Sequence, residues 1–69
     1  SSEAIKDKVH ATYNIGVYHE IHDELDQAEE LFDQCYRESG NSKFLDAVQR
    51  VQKRKEEIVM LKDQQQVED

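Results

Sequence analysis

Apolar residues recur along this chain at intervals of three and four, the spacing that keeps them on one side of a helix. Between Glu3 and Ile21 the positions Ile5, Val9, Thr12, Ile15, Gly16 and His19 form one such stripe. A second begins near Glu24, where Leu25, Ala28, Leu31, Phe32, Cys35 and Tyr36 give an apolar face and acidic residues fill the other side. A third runs from about Lys43 to Gln66, with Phe44, Ala47, Val48 and Val51 on its stripe. Six polar residues from Gln52 to Glu57 then interrupt it before Ile58-Val59-Met60-Leu61. Four consecutive apolar residues cannot share one side of a helix. Ile58 and Leu61 are therefore expected to close over the Ile21–Leu25 turn region, while Val59 and Met60 project outward as an apolar patch for another chain, a second copy or a neighbouring repeat of a longer protein.

The breaks between the stripes are short, and with two Gly and no Pro the chain has few stops. His22-Asp23-Glu24 reads as a turn, with Asp23 as N-cap of the second helix. Ser39-Gly40-Asn41 reads as the next, with Gly40 in the left-handed conformation that closes a helix and Ser42 as N-cap of the third. The predicted fold is all-α: a helical hairpin over 3–41, a capping helix over 42–66 and a disordered tail at 67–69. Gly16 inside the first helix costs about 1 kcal/mol relative to Ala. Close approach of the second helix, at Ala28, would account for it.

Charge modifies this picture more than size does. Nine Lys and Arg stand against sixteen Asp and Glu, a net charge of −7. That balance argues against nucleic acid, whose phosphates require a basic footprint, and against anionic membrane surfaces. Between Asp23 and Asn41 seven acids meet a single Arg, so the middle segment carries almost the whole negative field. A chain this short buries only about 60% of its unfolded surface, so an open helical face calls for a cover. One Cys cannot form an internal disulfide, no apolar run nears the roughly 18 residues of a membrane span, and the N-terminus lacks signal-peptide order. The expectation is a soluble cytoplasmic protein, read as a piece of a longer one.

Candidate chemistry is sparse. His19-Glu20-Ile21-His22-Asp23 places its two His three apart, whereas the zinc-protease motif needs them four apart with Glu after the first. His19 is expected to pack and His22 to face solvent. Cys35 sits near a helix end among acids, where a thiol gains no activation, and reads as a small buried apolar residue. No phosphate loop or catalytic ordering is found, so neither enzyme activity, metal nor cofactor is expected. The cations Arg50, Lys53, Arg54 and Lys55 are expected to lie beside Asp26, Glu29, Glu30 and Asp33 and to guide helix register.

Thr12, Ile15-Gly16, His19, Ala28, Phe32, Cys35 and Gly40 fall, without a gap, at the intervals of one tetratricopeptide repeat, a helix-turn-helix unit of about 34 residues. The chain resembles that family over its hairpin. Thr12 stands where the family prefers Trp, His19 where it prefers Tyr and Gly40 where Pro often closes the repeat. The resemblance implies stacking on neighbouring repeats and a protein-binding role in a scaffold, adaptor or peptide-responsive regulator. It also implies a partner-binding groove on the inner face of the first helix, presenting His10, Tyr13, Asn14, Val17 and Glu20. That face has no Lys or Arg to hold a terminal carboxylate, which disfavours the chaperone-tail ligands of some members. A self-assembly element that pairs through the third helix is the alternative.

Overall fold

A computed structural model describes residues 2–67, with side-chain environments over residues 3–63. Three helices make up these residues: α1 (Ser2–Ile21), α2 (Leu25–Ser39) and α3 (Ser42–Val67). Among the described residues there is no strand, and the all-α three-helix arrangement is as the periodicity predicts. Of the expected tail, Val67 belongs to α3, and residues 68–69 lie outside the described residues.

The turn between α1 and α2 is built differently from its sequence reading. Asp23 adopts φ 62, the left-handed region. The Glu24 N–H donates to the His19 carbonyl at 2.8 Å and the Asp23 N–H to Glu20 at 3.1 Å, the paired bonds that terminate a helix on a left-handed residue. Asp23 thus closes α1 instead of capping α2, because Asp tolerates left-handed geometry better than most side chains. Glu24 occupies the N-cap position of α2 without a side-chain cap bond. At the other turn Gly40 takes φ 71 as expected, and its N–H donates to the Tyr36 carbonyl at 2.8 Å. The cap of α3 is Asn41, one residue before the expected Ser42, since its Oδ1 accepts the Lys43 N–H at 3.0 Å.

Packing centres on α2, which contacts both other helices. Leu25, Ala28 and Phe32 from α2 meet Ala47, Val48 and Val51 from α3 in one buried cluster. Val9, Cys35 and Phe44 form a second. Tyr13 joins the two, its ring 5.4 Å from Phe32 and 5.6 Å from Phe44.

The apolar stripe of α1 is where sequence and structure diverge most. Val9 and Gly16 are buried, but Ile5 and Ile15 are 55% and 52% exposed. Tyr13 and Val17 take the core positions instead. The reason is that α1 is apolar on two sides, so a three-four spacing can be drawn through either. Gly16 does mark a close approach, but the group packed on it is the Phe32 ring: a Cβ there would stand 2.7 Å from Cε1 and 2.9 Å from Cδ1. Ala28, one helical turn before Phe32 on α2, is fully buried in the same cluster.

On α3 the polar interruption has a structural use. Lys55 follows Val51 by one helical turn, and its ammonium reaches Asp26 at 2.6 Å and Glu29 at 3.0 Å on α2. Ile58 then packs on the Leu25 cluster. Leu61 does not join it: Leu61 is 55% and Ile21 75% exposed, so the expected closure over the turn is made by Ile58 alone.

Candidate protein-interaction surfaces

The five residues expected on the inner face of α1 have different surroundings. His10 and Asn14 are exposed. Tyr13 and Val17 are half-buried against the core. Glu20 is clasped by α3: Nε and Nη2 of Arg50 donate to its two carboxylate oxygens, each at 2.8 Å. This charge-assisted pair pushes the Arg50 pKa up, chiefly through the Glu20 hydrogen bonds. The core and the capping helix together therefore take up three of the five positions, and the open part of this face is His10 and Asn14.

His10 also borders a groove of about 500 Å³ below the start of α3, with Val9 and Phe44 as its floor and Lys6 and Lys43 at its edge. Lys8, nearby on α1, pairs with Glu38 at 3.2 Å. Glu38 also lines this groove, so its border carries Lys6 and Lys43 together with one acid.

The cations of α3 divide among three helices. Among the described residues, only Lys55 meets the α2 acids. Arg50 turns to Glu20 on α1, and Arg54 lies 3.8 Å from Glu57 on its own helix. Asp33 pairs with Arg37, four residues on. The Gln52 amide donates to Glu29 at 2.8 Å, and with Lys55 it lowers the Glu29 pKa. The expected register contact between α2 and α3 is thus one Lys55-centred triad.

The two His at the end of α1 do different things. His19 is half-buried, and its Nδ1 lies 2.9 Å from Glu24 Oε1, bracing the turn. His22 is exposed, with its ring 4.3 Å from that of Tyr18. No group of three His, Cys, Asp or Glu among the described residues is placed to hold a metal ion. Cys35 is fully buried, its Sγ 3.4 Å from the Val9 carbonyl, and burial raises its pKa. No helix among the described residues is long and apolar enough to cross a membrane.

Among the described residues, α3 and α1 each leave apolar side chains open. Val59 and Met60, singled out by the sequence, are 58% and 62% exposed. Those on α1 were missed: Ile15 and Tyr18, with Ala11, lie on the side of α1 turned away from the core. The signal was present in the seven-residue interval from Ala11 to Tyr18, with Ile15 between them, but Ile15 had been assigned to the core stripe. Comparison of the chain with family models, curated proteins and solved structures finds no match.

Proposed function

We propose that this chain is a non-catalytic protein-binding module, a tetratricopeptide-like hairpin closed on one side by a capping helix. The observation that carries the reading is the two-sided character of α1. One side packs on Phe32, and the other leaves Ile15 and Tyr18 more than half exposed. A helix apolar all round is normally buried all round, so the open side calls for a neighbouring helix. Ile15 is itself a position of the repeat register, and an adjoining repeat would cover it. Gly16, Ala28, Phe32 and Cys35, four further register positions, are buried, which also supports the resemblance.

Binding of a peptide segment would use His10 and Asn14 beside the groove over Val9 and Phe44. The buried single Cys35 fits a cytoplasmic, reducing setting. The test is a displayed peptide library selected on the immobilised chain. Peptides should bind the wild type and be lost from His10→Ala/Asn14→Ala, with far-UV circular dichroism unchanged. Equal binding to the double variant would remove this face from the account.

A further inference from the structure

The groove that His10 borders is lined by the start of α1, the end of α2 and the start of α3. Ile5 and Val9, one helical turn apart on α1, and Phe44 on α3 supply its apolar surface, and Ile5 is more than half exposed. At about 500 Å³ it lies within the roughly 300–1,000 Å³ of clefts that enclose a ligand. Two helices each bring a cation to it, Lys6 from α1 and Lys43 from α3. The Lys43 ammonium lies 5.0 Å from the centre of the Phe44 ring, an attraction that keeps it beside the apolar surface.

Charge decides what this groove accepts. Both carboxylate oxygens of Glu38 are already engaged, Oε2 by the Lys8 ammonium and Oε1 by the Gln34 amide, each at 3.2 Å. Lys6 and Lys43 form no ion pair among the described residues. Glu3, Asp7 and Asp46, the acids closest to these lysines in sequence, do not line the groove. The acids of α2 do not answer them either. Asp33 is paired with Arg37, and Glu30 stands eight residues before Glu38. That is about 12 Å along the helix, beyond the roughly 8 Å over which a charge acts at physiological salt. The groove thus offers an apolar surface with an unanswered ammonium on two of its sides.

We propose that the occupant of this groove is an acidic peptide segment. An apolar side chain of the segment sits on Ile5, Val9 and Phe44, and Asp or Glu on either side of it pairs with Lys6 and Lys43. The inference rests on the reading of this face as a peptide site and adds the chemistry of the ligand. The apolar residue supplies most of the affinity, whereas the ion pairs, which solvent screens, select among peptides.

Isothermal titration calorimetry with three synthetic peptides tests the proposal. One carries Leu between two Asp-Glu pairs, the second has those acids changed to Asn and Gln, and the third has the Leu changed to Ala. The first should bind, and the other two should each bind roughly tenfold more weakly. Lys6→Glu/Lys43→Glu should weaken the first peptide by roughly tenfold, and added salt should weaken it on the wild type. Both lysines are exposed, and Glu suits the first turn of α3, so this variant should keep its helicity. Lys53→Glu/Lys62→Glu makes the same change in net charge away from the groove and should leave the affinity as it was. Equal binding of the acidic and amide peptides, or equal loss in the two charge-reversal variants, would overturn the proposal. If the display selection yields peptides that need His10 and Asn14 but carry no acids, the peptide-site reading stands and this proposal falls. If nothing is selected and none of the three peptides binds, both fall.

Discussion

Gly16 and Phe32 set the distance between the first two helices. The ring of Phe32 lies so close over Gly16 that an added Cβ would meet it at 2.7 Å, shorter than any ordinary carbon contact. Phe32 is fully buried, so the ring has no open space to move into. Gly16→Ala would gain helix propensity of about 1 kcal/mol, but overpacking costs about 1–3 kcal/mol, and the clash is expected to win. Urea denaturation should show Gly16→Ala less stable than the wild type. The penalty should shrink in a Phe32→Leu background, and a Gly16→Ala variant of undiminished stability would refute the close contact.

Arg50 and Glu20 tie α3 to α1 across thirty residues of chain, with two hydrogen bonds of 2.8 Å. Glu20 is only 25% exposed but Arg50 is 54% exposed, so solvent screens the pair. A double-mutant cycle of Arg50→Ala and Glu20→Gln is expected to give a coupling of about 0.5–1 kcal/mol, smaller at high salt. A coupling of zero at low salt would mean that the capping helix is held by apolar contacts alone.

The Lys55 triad fixes a pH window. Glu29 is lowered from 4.5, chiefly by the Gln52 hydrogen bond and then by Lys55, so its contribution is full above that value and is lost as pH falls through the lowered pKa. Lys55 is raised from 10.5, first by Asp26 and then by Glu29, so its contribution is full below that value and is lost as pH rises through the raised pKa. The thermal midpoint should hold a plateau between these limits and fall on both sides. Lys55→Met should remove most of the triad's alkaline loss, and Glu29→Gln should reduce the acid loss. Profiles parallel to the wild type would show that the triad is not formed in solution.

Cys35 provides a probe of opening. With its side chain fully buried and its pKa raised, the thiol should resist a thiol-reactive dye in the native protein and react freely in denaturant. Native labelling as fast as unfolded labelling would place Cys35 outside the core.

Those elements whose residues have only one plausible use were legible in the sequence. The apolar face of α2, opposite a run of acids, admits one orientation, and Gly40 admits one conformation. Asp23 was misread because the same residue type caps a helix start and tolerates the left-handed end of the preceding helix, and the backbone bonds that decide between them involve His19 and Glu20. The face of α1 was misread because Ile5 and Ile15 satisfy the helical spacing as well as Tyr13 and Val17 do. What separates them is contact with Phe32 and Phe44, residues distant in sequence. The candidate groove was affected in the same way: nothing near Glu20 signals that Arg50 will occupy it.

Amide chemical-shift mapping tests the central claim, that α1 presents a protein-binding face, most directly. Isotope-labelled chain is titrated with a peptide recovered from the display selection. The account predicts perturbations that centre on His10 and Asn14 and on the start of α3 at Lys43 and Phe44, with the acidic outer residues of α2 undisturbed. Perturbations confined to Asp26, Glu30 and Asp33 on α2, with α1 silent, would contradict it.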